Sequence, residues 1–308
     1  MTSVSESKNR ALSWFHPRHW PLAFGVGVLM LGAYMPLSWS QRVGRGLGFL
    51  AYHALPSRRR IVLRNLELCF PYWSAQQRAN AARANFASTG MGLMEGGMAW
   101  WGSSKRLLAI THVEGLEHYH AAQQAGCGVL VLGAHFTAME LGGRIASMNV
   151  PSYTVYKPAK NEQFNTLMLE RRGQYFRGLI PNDSLRGMLA VLKAGGACWY
   201  GIDQDFGAEQ SVFAPFFNVQ TATLTIASKI VQRTGAKVLF SYPERLPDAK
   251  GYVLHFLPVE NFPSGDWVRD ATLYNSMIEK VVRMAPADYF WLHRRFKTRP
   301  PGEANPYL

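Results

Sequence analysis

A histidine and a carboxylate lie five residues apart in the segment GAHFTAMELGGR, residues 133–144. His135 follows the apolar run GVLVLGA, which predicts a buried strand, and Glu140 lies where a following helix would begin. On one continuous helix five residues turn about 500°, so the two side chains would point roughly 140° apart. We therefore expect His135 in a strand-to-helix turn, where Glu140 can accept a proton from one ring nitrogen.

This pairing would fix the imidazole tautomer and leave the other ring nitrogen as a general base. No serine or cysteine stands beside it in a nucleophile-elbow pattern, so the histidine would activate a substrate hydroxyl directly. The spacing alone leaves a second interpretation open, in which His135 caps the turn and Glu140 is a solvated surface acid. Gly133 permits a tight turn here, and Gly142 and Gly143 permit close approach of another group.

Strand and helix patterns alternate through the rest of the chain and predict an α/β sheet flanked by helices. The predicted strands are GVLVLGA, YTVYKP, ACWYGID, AKVLFSYPE and YVLHFL, and helical stretches such as SLRGMLAVLKAG separate them. Residues that do chemistry in such folds collect at the carboxyl ends of strands, which is where His135 falls. Upstream, SRRRIVLRNLELCF predicts a basic amphipathic helix, and a further helix should begin after an N-cap at Ser74.

The N-terminal part of the chain contains a long uncharged stretch, Trp20–Gln41. It is just long enough for the ~20 apolar residues that span a bilayer core, and tryptophans flank it as interfacial residues would. No small-residue cleavage site follows, so we expect a retained membrane-anchor helix that spans the bilayer or lies in its interface. This divides the chain into a tail and anchor, residues 1–45, and a catalytic domain, residues 46–308.

The charge of the 308-residue chain is strongly unbalanced: 33 Lys and Arg against 20 Asp and Glu give a formal net charge of +13. Such a charge suits nucleic acid, an anionic bilayer or a phosphorylated substrate. Nine Trp and 17 Phe favour the membrane, because aromatic side chains suit its interface. Cys69, Cys127 and Cys198 have no metal-ligand spacing, so we expect reduced, structural thiols in a cytosolic compartment.

Several motifs together resemble one protein family. HFTAMELGGR resembles the HxxxxD/E block of the bacterial lipid A late acyltransferases. RNLELCFP and GMGLMEGGMAW before it, and YKP, DQDFG, SVFAPFF and WLHRRFKTRP after it, resemble other segments of that family, in order from about His16 to Pro300. The likeness is greatest to the lauroyltransferase branch, which acylates Kdo-lipid IVA, although Lys157 stands where relatives often carry arginine.

The resemblance implies an α/β fold of the glycerophosphate-acyltransferase type. The enzyme would bind lipids of the bacterial inner membrane, and its active site would face the cytoplasm. The enzyme would transfer a fatty acyl chain, laurate in this branch, from acyl carrier protein to a hydroxyacyl group of Kdo-lipid IVA. The resemblance implies no cofactor, no metal and no nucleic-acid partner. His135 would be the general base and Glu140 would orient it, while Lys157 and Arg172 would stabilise the oxyanion or clamp a phosphate.

Four further residues are candidates for substrate binding. Asp203 and Asp205, in GIDQDFG, follow the ACWYG strand, but two acids alone make a poor Mg²⁺ cage. We expect them to hydrogen-bond sugar hydroxyls or an active-site arginine, with a structural turn as the alternative. Near the C-terminus, Arg294 and Arg295 would either bind phosphate or form a solvated basic face.

The sequence leaves two functions of other classes open. A metal-dependent lipid phosphohydrolase at the membrane would use His135, Glu140, Asp203 and Asp205 as ligands, and a chelator would abolish its activity. A non-catalytic, basic membrane-binding module would keep its cellular function in a His135→Ala variant.

Overall fold

A mostly parallel sheet forms the centre of the structure, a computed structural model that describes residues 17–308 apart from the side chain of Arg18. Its strands are β1 (Thr111–Glu114), β2 (Val129–Gly133), β3 (Ser152–Tyr156), β4 (Gly178–Pro181), β5 (Ala197–Gly201), β8 (Lys237–Arg245) and β9 (Tyr252–Pro258). Their order is β1-β9-β8-β2-β5-β3-β4, with β1 and β9 antiparallel to the other five. Strands β6 (Ser211–Phe216) and β7 (Val219–Leu224) form a separate hairpin. The α/β class predicted from the sequence is confirmed.

Helices cover both faces of this sheet. They are α1 (Trp20–Tyr34), α2 (Leu37–Ala54), α3 (Pro56–Cys69), α4 (Ala75–Trp101), α5 (Ser104–Leu108), α6 (Leu116–Gln124), α7 (Met139–Asn149), α8 (Glu162–Arg172), α9 (Leu185–Lys193), α10 (Ile226–Thr234) and α11 (Trp267–Met284). Every residue of β2 is buried, and its alternate residues join two different apolar clusters, one on each face. The central strand is therefore apolar throughout, as a strand covered on both faces must be.

The uncharged N-terminal stretch does not form one helix. Met35 and Pro36 separate α1 from α2, because the ring of Pro36 disfavours a helical conformation at the residue before it. The stretch predicted as one helix is therefore two helices, and within residues 17–308 no helix combines the length and the apolar character needed to span a bilayer. The alternative of an anchor that lies in the interface stays a prediction. The proposed domain boundary at residues 45 and 46 falls inside α2, and residues 1–16 of the predicted tail and anchor lie outside the described residues.

Helix α4 packs against α1 and α2 at very short range. A Cβ atom on Gly97 would overlap the carbonyl oxygen of Leu29 in α1, and one on Gly90 would overlap that of Gly44 in α2. Only glycine allows these backbones to approach so closely. The predicted cap at Ser74 fixes the start of α4, since its side chain accepts a hydrogen bond from the amide three residues on. These contacts place the C-terminal turn of α4 at the site described below.

The chain after α11 crosses the end of β2 in a segment without strands, which we call the C-terminal strap (residues 286–296). The Phe290 amide donates to the carbonyl of His135 at 2.9 Å. The buried side-chain amide of Asn85 donates to the Tyr289 carbonyl at 2.6 Å and so ties the strap to α4. The strap thereby links α4 to the end of β2 and holds the backbone of His135 in place.

The three cysteines are free thiols, as expected. Burial raises the pKa of the Cys198 thiol to about 12, and burial also raises the pKa of Cys69 well above its ordinary value. Since the thiolate is the reactive form, both groups are inert at neutral pH.

Candidate active site

Strands β2 and β5 bring a histidine and an aspartate together. They pair in parallel with Gly133 opposite Gly201, and each strand is followed two residues later by a polar side chain, His135 and Asp203. His135 Nδ1 lies 2.6 Å from Asp203 Oδ1, and the backbone amide of His135 donates to Oδ2 at 3.0 Å. The hydroxyl of Tyr289, from the C-terminal strap, donates to the same Oδ2 at 3.0 Å.

The electrostatics of this pair favour an ionised Asp203. Burial raises the pKa of the Asp203 carboxyl, but the charge and hydrogen bonds of His135 outweigh it and bring that pKa to about 2. Burial lowers the pKa of His135, and Asp203 outweighs that effect, so the histidine titrates above its ordinary pKa. Since an ionised Asp203 can only accept, Nδ1 of neutral His135 carries the proton and Nε2 keeps its lone pair.

The hydrogen bond predicted between His135 and Glu140 is therefore wrong, because Asp203 occupies Nδ1. Glu140 lies in the first turn of α7, as expected, but its carboxylate meets other donors. Trp100 Nε1 donates to Oε1 at 2.6 Å, and the Tyr175 hydroxyl donates to the same oxygen at 3.1 Å. Glu140 still lines the site, where it organises a second group.

That second group is the guanidinium of Arg172. Its Nε donates to Glu140 Oε1 at 2.9 Å and its Nη2 to Oε2 at 2.5 Å, a bidentate pair in which both side chains are mostly buried. Burial raises the pKa of Glu140, but Arg172 outweighs it and holds that pKa below its ordinary value. Glu140 takes only Nε and Nη2 of Arg172, so the pair with Glu140 does not use the N–H groups of Nη1.

A cavity of about 240 Å³ joins the two groups. Its walls are mainly apolar and aromatic, and its polar residues converge from several strand ends. The polar lining comprises His135, Glu140, Thr154, Lys157, Arg172, Asn182 and Gln204, and the apolar lining includes Met139, Val155, Tyr156, Met168, Phe176, Trp199 and Phe206. Such a lining can receive an aliphatic chain beside a reacting polar group.

Gly201 keeps room in this cavity for the histidine ring. A Cβ atom there would lie 3.0 Å from the ring of Trp199 and 3.3 Å from Cε1 of His135. The missing side chain lets the imidazole rest directly against the end of β5.

The structure brings some of the predicted substrate-binding residues to the cavity. Arg172 and Lys157 line it, and the exposed Lys157 places Nζ 5.7 Å from the ring centre of Phe206. Asp203 does not reach toward a sugar, because its oxygens hold His135 and Tyr289.

The other predicted binding residues have structural contacts instead. Asp205 accepts from the amide of Thr298 at 2.7 Å and from its hydroxyl at 2.8 Å, so its predicted contact with a sugar is replaced by one with the chain's own C-terminal segment. Arg295 is buried and donates to the Ala222 carbonyl at 2.6 Å, which removes it from any phosphate site. Arg294 is exposed, does not line the cavity, and places its Cζ 6.0 Å from the ring centre of Tyr307.

Three residues of the site were not found from the sequence: Trp100, Tyr175 and Tyr289. They arrive from three different elements, the end of α4, the turn after α8 and the C-terminal strap, and no local spacing links them. A signal for Asp203 as the partner of His135 did exist, since it stands two residues after a strand-ending glycine just as His135 does.

The ligands of the alternative metal site are not assembled. Arg172 and Trp100 bind the carboxylate of Glu140, whereas Thr298 binds that of Asp205. Within residues 17–308, no group of three or more His, Cys, Asp and Glu is placed to hold a metal ion. The lipid phosphohydrolase interpretation therefore lacks its ligand set in this part of the chain.

The sequence matches one protein family over nearly its whole length. A family described as bacterial lipid A biosynthesis acyltransferase matches residues 7–298. Over 294 residues the chain is 42% identical to the lipid A biosynthesis lauroyltransferase of Escherichia coli K12, a match that covers 95% of this chain and 96% of that one. It is 39% identical over 297 residues to the lipid A biosynthesis palmitoleoyltransferase of the same organism, covering 96% and 97% of the two chains.

Among solved structures, the chain is similar to the 1-acyl-sn-glycerophosphate acyltransferase of Thermotoga maritima. The match covers 81% of this chain and 99% of that one at 16% identity, with a TM-score of 0.37.

Proposed function

The chain belongs to the bacterial lipid A biosynthesis acyltransferase family and is an acyltransferase, and on that premise we propose its reaction. It transfers a fatty acyl chain, laurate, from acyl carrier protein to the hydroxyl of a hydroxyacyl group on Kdo-lipid IVA. The observation that carries this proposal is the His135–Asp203 pair, in which the histidine keeps an unprotonated Nε2 and lines a cavity with apolar walls. The formal charge of +13 suits an anionic acceptor and an acidic carrier protein.

In the proposed mechanism, His135 Nε2 takes the proton of the acceptor hydroxyl as its oxygen attacks the thioester carbonyl. Asp203 stabilises the imidazolium that forms, because its carboxylate already accepts from Nδ1. When the tetrahedral intermediate collapses, the carbon–sulfur bond breaks and His135 returns the proton to the departing thiolate. The acceptor gains one ester, the carrier regains its thiol, and the enzyme ends in its starting state.

The oxyanion of that intermediate needs a donor, and we assign this role to Arg172. The amides of Phe136 and Thr137, directly after His135, already donate to the carbonyls of Ala134 and Asp288. Arg172 lines the cavity, and Glu140 fixes its orientation through Nε and Nη2 without using Nη1. A preorganised cation acts most strongly in a site shielded from water. Glu140 is then a positioning residue for Arg172 and not for His135.

We place the enzyme at the cytoplasmic face of the inner membrane. Helices α1 and α2 carry large apolar side chains that are more than half exposed: Trp20, Phe24, Leu31, Tyr34, Trp39, Phe49 and Leu50. The exposed Arg42 and Arg45 lie between two of these residues on α2. Aromatic and basic side chains together suit attachment to an anionic interface.

Purified enzyme, Kdo-lipid IVA and carrier proteins loaded with acyl chains of graded length provide the test. We expect a lipid product heavier by one acyl chain, with the highest kcat/KM for the dodecanoyl donor, and no product from His135→Ala. We also expect full activity in the presence of a chelator. Release of inorganic phosphate without acyl transfer, or product formation by His135→Ala at the wild-type rate, would contradict the proposal.

A further inference from the structure

Two arginines next to the cavity stack on aromatic rings. Arg144 on α7 donates from Nη2 to the hydroxyl of Ser104 at 2.8 Å, and its Cζ lies 4.8 Å from the ring centre of Tyr175. Arg171 on α8 places its Cζ 5.0 Å from the ring centre of Trp101. Within the part of the chain that the structure describes, no ion pair joins either guanidinium to a carboxylate.

The two guanidinium groups occupy one patch of the surface. Arg144 contacts Ser104 and Arg171 contacts Trp101, three residues apart where α4 gives way to α5. On the other side, Arg144 lies over Tyr175, four residues beyond Arg171. Arg144 therefore bridges the segments 101–104 and 171–175, and Arg171 extends from the second of these segments onto the first. The residues next to them in sequence, Gly143 and Arg172, line the cavity.

The nearby carboxylates do not neutralise this patch. Glu140, one helical turn before Arg144, uses both oxygens on Arg172, Trp100 and Tyr175. Glu170 is next to Arg171 in sequence, but it is exposed, and successive side chains on a helix point about 100° apart. Arg144 and Arg171 therefore add two positive charges beside the site, where the charges of Arg172 and Glu140 cancel each other.

Both arginine side chains are partly buried and carry an unpaired donor. The Nε atoms of Arg144 and Arg171 are both buried and have no hydrogen-bond partner within residues 17–308. Burial also lowers the pKa of Arg144. A partly buried cation without a counter-charge is unfavourable, and an anion that accepts from both guanidinium groups would reduce that cost.

We propose that Arg144 and Arg171 bind a phosphate group of the lipid acceptor while its hydroxyl reaches His135. This inference rests on the proposed function and identifies the residues that would recognise the acceptor headgroup. Stacking on Tyr175 and Trp101 orients each planar guanidinium and leaves its edge for bidentate contact, which suits the oxygens of phosphate.

The location of the patch suits a lipid headgroup. Arg106, two residues beyond Ser104, donates to the carbonyls of Ala33 and Met35 at the end of α1. Residues 101–106 therefore border the helix whose exposed aromatic side chains we assign to the membrane interface. A phosphate bound there would lie between the bilayer and the cavity.

The test compares acceptor KM values for Kdo-lipid IVA and for the same lipid after enzymatic removal of its phosphates, at a saturating acyl donor. We expect the wild type to favour the phosphorylated lipid. Arg144→Gln and Arg171→Gln should each raise the KM for the phosphorylated lipid roughly 10- to 100-fold, the range for one lost charge-assisted contact. The KM of the acyl donor should stay within about twofold, and Lys at either position should restore only part of the loss.

Arg233→Gln is the matched control, because Arg233 is an exposed arginine in the last turn of α10 and does not line the cavity. It should keep the wild-type KM values. Thermal melting of each variant identifies any that fail to fold, and two independent positions keep the test decisive.

Three results would overturn the inference. The first is an unchanged preference for the phosphorylated lipid in both variants. The second is a rise in acceptor KM that disappears when the acceptor is lipid IVA without Kdo, because the arginines would then recognise the sugar acids and not a phosphate. The third is equal weakening for both lipids together with reduced sedimentation on phosphatidylglycerol vesicles, which would assign the arginines to bulk bilayer phosphate. A wild-type enzyme that acylates neither lipid would contradict the proposed function itself, before any variant is compared.

Discussion

Replacing Asp203 by asparagine should remove most of the activity while leaving the cavity intact. The carboxyl has a pKa of about 2 instead of its ordinary 3.8, which corresponds to roughly 2–3 kcal/mol of favourable interaction with the ionised form. Much of that interaction is with His135, and it would be strongest when His135 is protonated in the transition state. An asparagine could also donate to Nδ1 and so favour the wrong imidazole tautomer. We therefore expect kcat to fall roughly 10²- to 10⁴-fold, with little change in either KM.

The pH profile of Asp203→Asn gives a second readout. Activity requires neutral His135, so it is lost as the pH falls through the pKa of that histidine. Asp203 raises this pKa in the wild type, which places the acid limb of kcat/KM above the ordinary value of 6.5. The substitution should move the acid limb of the residual activity to lower pH.

Asp205→Asn is the matched control for this experiment. It makes the same chemical change two residues away, in a carboxylate that binds Thr298 and does not line the cavity. It should lower the melting temperature but keep kcat within a few-fold of the wild type. Wild-type kcat in Asp203→Asn, or an equal loss in both variants at matched folded fractions, would refute the role of Asp203.

The remaining predictions concern the groups around this pair. Glu140→Gln should lower kcat roughly 10- to 100-fold without moving the acid limb of the pH profile, because it loosens Arg172 and not His135. A shifted acid limb would instead support a direct interaction between Glu140 and His135. Gly201→Ala should lower kcat by displacing His135, whose Cε1 would lie 3.3 Å from the new Cβ, and an unchanged rate in a well-folded variant would contradict that contact. Tyr289→Phe removes one hydrogen bond to Asp203 and should cost less than about tenfold in kcat, measured beside the melting temperature; a larger loss without a change in melting temperature would give Tyr289 a greater role than this one contact.

The local elements of the fold were predictable from the sequence because their signals are local. The apolar run of β2 and the cap at Ser74 are both found as predicted. The short strands β1 and β4 and the hairpin of β6 and β7 were not predicted. They are less buried than β2, and polar residues or prolines interrupt their apolar pattern, as in THVE, GLIP and SVFAPF. Pro36 divides the uncharged stretch into two helices, although the composition of that stretch suits a single helix.

The site was only partly predictable, because its geometry depends on strand order. The position of His135 at the end of β2 followed from the sequence, but its partner could not be chosen without knowing that β5 lies next to β2. Proximity in sequence favoured Glu140, whereas the sheet brings Asp203 from 68 residues away. The burial of Arg295 could likewise not be predicted, because the basic C-terminal segment does not indicate which of its arginines is buried.

The most direct test of the central claim is the ¹⁵N NMR spectrum of the His135 imidazole as a function of pH, assigned by comparison with His135→Gln. We predict the Nδ1–H tautomer for the neutral ring, a pKa above about 6.5, and a lower pKa in Asp203→Asn but not in Glu140→Gln. A neutral ring protonated at Nε2, or a pKa that responds to Glu140 and not to Asp203, would contradict the assignment of His135 as the base oriented by Asp203.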